Sequence, residues 1–233
     1  MASTHVTVAG DTLSLEAAQS CIGRYCGAPA DRWEPDRTRP IDPGTPAPIF
    51  RAHGYRTYDC VPAAPGRTLE PIDVLVGAGL GDGMDHDAVD AVLGLRPALD
   101  EALLALPDPA PVLWEMSSAE LFGKGGMATT NGELWRPWAL LMNVRGVGMR
   151  TTHAVLHHKL PTVYPLLDRR TVGHFAKRSQ AWQQTHQDLV EQDEAWTMLE
   201  DWHRETIVPR SGPGAVPLNR LRLHSVILDV RTT

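Results

Sequence analysis

Leu141-Met-Asn-Val-Arg-Gly-Val-Gly-Met-Arg-Thr-Thr-His-Ala-Val-Leu-His-His158 sets two glycines around one valine, between two runs of helical periodicity. Glu133 to Met142 reads as one helix, and a second runs from about Met149 to Lys159. Glycine accepts positive φ without steric cost, so Gly146-Val147-Gly148 makes a tight reversal with Val147 turned into the core. The second helix starts at once, which leaves the backbone N–H groups from Gly146 to about Thr151 without intrahelical acceptors. With no side chain at either glycine, a phosphate can approach those donors, and the helix dipole favours the anion. Arg145 and Arg150 flank the same spot, and Thr151 and Thr152 add hydroxyls.

The charge pattern makes this turn stand out. The chain has 233 residues and a net charge of −6, which taken as a whole argues against nucleic acid. Its distribution is uneven: −10 from Met1 to Leu134, +7 from Trp135 to Arg178, and −3 from Ser179 to Thr233. In the middle window Arg136, Arg145, Arg150, Lys159, Arg169, Arg170, Lys177 and Arg178 face a single acid, Asp168. Local charges set the field near a surface, so a basic zone in an acidic protein can attract a phosphate backbone. The same window is also what an ordinary solvated face looks like.

Further out, Ser14–Cys26, Leu69–Leu80, His86–Leu93 (capped by Asp85), Arg96–Leu106 and Leu218–Val230 each carry helical periodicity. Ser117 and Ser118 offer caps for a short helix ending at Phe122, and Ala181–Ile207 is one long helix or two shorter ones. Pro29–Pro48 is a proline-rich loop or arm, and Ile49–Val61 is ambiguous, a short extended piece being one reading of it. Pro161 and Pro165 bracket an extended connection, after which Asp168 stands at the N-cap position of a helix over Thr171–Lys177. No set of alternating segments supports a large sheet, so the fold class is mainly α. The expected organisation is a single helical domain over 1–233. The alternative is two lobes, about 1–134 with the C-terminal helices and 135–178.

Hydrophobic content of 42% with 21% charged residues fits a soluble globular chain, and no apolar run approaches a membrane span. Met1–Gly10 has neither a basic n-region nor an apolar core, so no secretory signal is expected and the expected location is cytoplasmic. Cys21, Cys26 and Cys60 fit no metal spacing and read as reduced thiols, and no C-terminal cysteine cluster exists for an iron–sulfur centre. His153 and His157 lie one helical turn apart, but no third ligand stands nearby, so no metal site is expected. The acidic run at Gly81–Asp87 matches no calcium loop, and Phe122-Gly-Lys-Gly-Gly lacks Walker spacing.

Over about Trp135 to Phe175 the chain resembles the helix–hairpin–helix DNA glycosylases. It shows their apolar run into Gly-Val-Gly, followed by Thr-Thr-His-Ala, a proline-containing stretch, and Asp168-Arg-Arg-Thr-Val172. It is also similar to a remote, uncharacterised bacterial branch sharing the Pro…Asp segment. The resemblance implies a glycosylase-like helical bundle, with Asp168 as the catalytic aspartate and duplex DNA carrying a flipped-out base as the partner. Arg145 stands where the family has proline, which the turn tolerates because it rests on the glycines. Arg150, 18 residues before Asp168, stands where bifunctional members place a Schiff-base lysine. Arginine does not deprotonate into an amine nucleophile, so the implied enzyme is monofunctional, without lyase chemistry. No cofactor is implied beyond a monovalent cation held by the hairpin carbonyls.

A carboxylate at Asp168 could stabilise the positive charge that develops on the sugar during N-glycosidic cleavage, or orient the attacking water. The plain alternative is a helix cap. For the base pocket, Trp33 and Trp114 lie in irregular segments and Tyr164 stands four residues before Asp168, whereas Trp135 and Trp138 read as core. Three functions follow: a monofunctional DNA glycosylase; a non-catalytic helix–hairpin–helix DNA-binding protein in a repair or defence assembly; and a helical protein whose hairpin is purely structural.

Overall fold

A computed structural model describes residues 4–27, 54–81, 83–122 and 132–231. The expected arm at Pro29–Pro48, the turn at Lys124 and Trp33 lie outside the described residues. Ten α-helices and one two-stranded hairpin make up the regular structure among the described residues, so the fold is mainly α.

The chain opens with β1 (His5–Val8) and β2 (Asp11–Ser14), an antiparallel pair in which Val6 faces Leu13 and Thr7 faces Thr12. Sequence periodicity does not single this hairpin out, because its turn puts Ala9, not asparagine or glycine, at positive φ (53°) ahead of Gly10 (88°). A distant acid holds that conformation: the Ala9 N–H donates to Asp188 Oδ2 at 2.8 Å. Ser14 ends the strand and caps α1 (Leu15–Tyr25), its hydroxyl accepting from Ala17 N–H. The expected extended piece near Ile49–Val61 is instead a single π-helical turn at Tyr55–Asp59, with Tyr55 and Tyr58 buried.

Next come α2 (Pro71–Leu80), α3 (His86–Gly94), α4 (Arg96–Leu104) and the short α5 (Ser118–Phe122). Pro71 stands at the start of α2, and Asp85 caps α3 by accepting from Ala88 N–H at 2.8 Å. The helix pair around the glycine turn is α6 (Trp135–Met142) and α7 (Met149–Lys159). The C-terminal half holds α8 (Ala181–Glu191), α9 (Asp193–Trp202) and α10 (Arg220–Arg231). The long stretch Ala181–Ile207 is thus two α-helices broken at Gln192, followed by a π turn over His203–Ile207.

The centre of the molecule is α7, buried without a break from Thr151 to Lys159. Helix α2 lies antiparallel across it, close enough that a Cβ on Gly77 would sit 2.6 Å from Val155 Cα, and one on Gly81 would sit 2.8 Å from Thr151 Cα. Only glycine allows two helix backbones to approach so closely. On the C-terminal side α10 is buried from Arg220 to Leu228 and packs on α1. Apolar residues from Val6 to Val230, most of those in 135–178 among them, join in one connected core, and Tyr58, Ala154 and Leu166 form a smaller cluster. No helix among the described residues is long and apolar enough to cross a membrane.

Candidate nucleic-acid interface

The Gly-Val-Gly turn is built from two short-range bonds. Val144 N–H donates to Leu141 O (3.0 Å) and Val147 N–H to Val144 O (3.1 Å), while Gly146 takes φ +86°. Val147 is 7% exposed and anchors the turn in the core. Gly148 is the N-cap of α7, and the first helical bond runs from Thr152 N–H to Gly148 O at 3.0 Å. The N–H groups of Met149 and Arg150 therefore have no acceptor inside the helix. They open on a groove of about 680 Å³, walled on one side by Gly146–Arg150 and on the other by Asp168–Arg170, with Gly83 between.

Asp168 is the only carboxylate among the described residues lining that groove, and both of its oxygens are engaged. Oδ1 accepts from Thr171 N–H at 2.6 Å, while the Asp168 N–H donates to Thr171 Oγ1 at 2.8 Å. This reciprocal pair makes Asp168 a cap. The element it caps is a 3-10 turn, Thr171–His174, shorter than the helix expected over Thr171–Lys177. Oδ2 accepts from Arg150 Nη1 at 3.1 Å. Arg150 Nε donates in turn to Leu80 O at 2.9 Å, one of the carbonyls left without a partner at the C-terminus of α2. Arg150 thus joins the end of α2 to the Asp168 turn, and only part of its guanidinium remains for a phosphate.

The basic window is largely neutralised by tertiary structure. Arg136 pairs with Glu101, Arg150 with Asp168, Lys159 with Asp73, and Arg170 with Asp229. Arg145, Arg169, Lys177 and Arg178 are exposed and make no ion pair among the described residues. Of these, Arg169 stands in the groove wall. It directly follows Asp168 in sequence, a signal that charge counting alone passes over. The α3 side of the turn is acidic: Asp85 Oδ1 would lie 3.6 Å from a Cβ on Gly146. An anion is therefore favoured from the Arg169 side.

Several expected contacts take other roles. Thr151 and Thr152 are fully buried, Thr151 against Gly81 at the end of α2, and neither lines the groove. Tyr164 is fully buried and donates to Leu134 O at 2.9 Å, with its ring edge-on to Trp182, so it does not border Asp168. Trp114 is half-buried with the Arg220 guanidinium 5.2 Å from its ring centroid, and it is not part of the groove. Trp135 is buried with its ring against those of Trp138 and Trp182, and Trp138 packs partly buried on the core.

The α7 histidines are spoken for in the same way. His153 Nδ1 lies 2.6 Å from Pro165 O, and its Nε2 accepts from Trp138 Nε1 at 3.1 Å. His157 Nδ1 lies 2.6 Å from Tyr164 O. Burial pushes both down, His153 to about 4 and His157 to about 3, and the Arg222 charge adds to the fall at His157. Both rings are neutral pins that fix the Pro161–Pro165 connection against α7. Among the described residues no three His, Cys, Asp or Glu side chains are grouped as metal ligands. Cys21, Cys26 and Cys60 form no disulfide among the described residues.

Fold and site together define a mainly helical protein with a glycine-hinged helix pair beside an arginine-walled groove. Residues 51–230 match DUF6308, a family of unknown function, and the chain belongs to that family. No curated protein and no solved structure matches it.

Proposed function

We propose that the groove between the Gly146–Gly148 turn and Arg169–Arg170 binds the phosphate backbone of duplex DNA, and that the chain acts as a helix–hairpin–helix DNA-binding protein. One observation carries this reading. The helix N-terminus at Gly148–Arg150, the side-chain-free glycines and Arg169, which makes no ion pair among the described residues, all line one open groove. Donors at a helix N-terminus hold a phosphate oxygen, and an exposed arginine releases counterions on contact. The test is fluorescence anisotropy with duplex DNA across a salt series. Binding is expected to weaken steeply with salt, and Arg169→Ala and Arg145→Ala are each expected to reduce the logarithmic slope by about 1. Binding that is absent, or indifferent to salt, overturns the reading.

Asp168 in the wall of the same groove favours a second reading, monofunctional base excision. There the DNA would present a flipped-out base, and the carboxylate would stabilise positive charge developing at the sugar as the N-glycosidic bond breaks. Arg150 would fix the position of Asp168. Incubation with a panel of lesion-bearing duplexes, followed by alkali to reveal abasic sites, tests this. Base release is expected from the native chain and not from Asp168→Asn, which retains DNA binding. Strand cleavage without alkali contradicts the monofunctional chemistry, and no release from any duplex leaves the binding reading alone.

A further inference from the structure

A second cavity, of about 270 Å³, opens between the Tyr55–Asp59 turn, the C-terminal half of α7 and the start of α10. It shares no lining residue with the hairpin groove, so it stands independently of the DNA reading. Pro62, Pro161, Pro217, Val216 and Leu218 supply its apolar lining. Tyr58, Asp59, His157, His158 and Arg222 put buried polar groups in its wall. Two of these side chains, Arg222 and His157, each keep a hydrogen-bonding group that neither a hydrogen bond nor an ion pair engages among the described residues.

The first is Arg222, 6% exposed. Its Nε donates to Asp59 Oδ1 (2.6 Å), and its Nη2 donates to Asp59 Oδ2 (3.0 Å) and to the Tyr25 hydroxyl. The guanidinium carbon lies 4.9 Å from the Tyr25 ring centroid and 5.4 Å from that of Tyr58. Nη1 takes part in no hydrogen bond among the described residues. The second is His157, 2% exposed. A carbonyl can only accept, so the 2.6 Å contact with Tyr164 O places the proton on Nδ1 and leaves Nε2 a bare acceptor. Burial holds the ring neutral down to about pH 3, so Nε2 is an acceptor throughout the physiological range.

The charges select the ligand. Asp59 neutralises Arg222 and also lines the cavity, so an anion gains little and meets a carboxylate, while a cation meets the guanidinium. A neutral molecule that accepts from Nη1 and donates to Nε2 satisfies both leftover groups. Proline and aliphatic walls suit a flat ring, and the volume falls just below that of drug-sized sites, which limits it to one or two rings. We propose that this cavity binds a small, neutral, planar lactam: a heterocycle with adjacent carbonyl and N–H groups, the carbonyl on Arg222 Nη1 and the N–H on His157 Nε2.

The test uses the full chain with 2-pyridone and uracil as probes, read by calorimetry and by the His157 imidazole nitrogen signals. Both probes are expected to bind and to shift the Nε2 resonance. N-methyl-2-pyridone and 1,3-dimethyluracil, which lack the N–H, are expected to bind at least tenfold more weakly, because a site built to hydrogen-bond rejects an analogue without the group. Benzoate is expected not to compete. Val216→Trp, a change on the exposed rim, is expected to abolish probe binding with the circular dichroism spectrum and DNA affinity unchanged. The proposal is overturned if neither lactam binds, if the N-methylated analogues bind equally well, if benzoate displaces the lactams, or if Val216→Trp leaves probe binding intact.

Discussion

Asp168 holds two bonds of different origin, and substitution separates them. Asparagine caps as well as aspartate, so Asp168→Asn keeps the bond from Thr171 N–H and loses the charge and the acceptor opposite Arg150 Nη1. That ion pair is partly exposed, and its loss is expected to cost no more than about 1 kcal/mol. Asp168→Ala loses the cap as well and is expected to cost about 1–2 kcal/mol more. Urea midpoints of the two variants measure the difference, and equal destabilisation would show that the cap contributes nothing. Gly146→Ala probes the turn itself: it places a side chain at φ +86° and its Cβ 3.1 Å from that of Ala88. A loss of about 1–2 kcal/mol is expected from the left-handed backbone. At this scale the sequence is informative about backbone and poor about charge. The two glycines and the aspartate are legible as a turn and a cap because their signals are local. The partners of Arg136, Lys159 and Arg170 come from 35, 86 and 59 residues away, and no count within the window reveals them.

At the scale of elements, the contact between α2 and α7 governs how the hairpin is presented. Gly77 and Gly81 let the backbones meet, and that approach brings Leu80 O within reach of Arg150 Nε. Gly77→Ala would place a methyl 2.6 Å from Val155 Cα, a backbone neighbour that cannot rotate away. Overpacking of this kind is expected to cost about 1–3 kcal/mol and to shift α2 outward. Gly79→Ala, with open space around its Cβ, is the control and is expected to stabilise by a few tenths of a kcal/mol through helix propensity. Paired thermal melts of the two variants read the contrast, and similar melting temperatures would refute the close approach. Helices whose ends carry caps in sequence, such as Ser14 for α1 and Asp85 for α3, are legible from the chain alone. The strand hairpin is not, because the bond stabilising Ala9 comes from Asp188, 179 residues away. The helical character of Tyr55–Asp59 is equally hidden. Its aromatic residues read as strand formers, whereas Tyr58 is fixed by its hydroxyl bond to Ala154 O on α7.

For the whole molecule, the buried polar groups of the core tie stability to pH. Burial lowers His153 to about 4, His157 to about 3 and His203 to about 4. In the unfolded chain each titrates near 6.5. Between those values the unfolded chain binds a proton at each site that the folded chain does not, so stability falls as pH drops below about 6.5. With three such groups the slope near pH 5 is about 4 kcal/mol per pH unit. Asp73 adds to this at lower pH. Burial alone would raise it, but bonds from His158, the Glu70 and Ala64 N–H groups and Lys159 hold it at about 2. Its contribution is present above the unfolded carboxylate value near 4 and is lost as pH falls through 2. Against a typical folding stability of about 5–15 kcal/mol, the histidines alone are enough to unfold the chain before Asp73 is reached. Circular dichroism followed from pH 8 to pH 2 is therefore expected to show cooperative unfolding with a midpoint between pH 4 and 6. Replacing His153 by Gln, which can still donate toward Pro165 O, should move that midpoint down and flatten the slope by about one proton. A midpoint below pH 3, or a slope unchanged in the variant, would mean that these rings are not held neutral in the folded core.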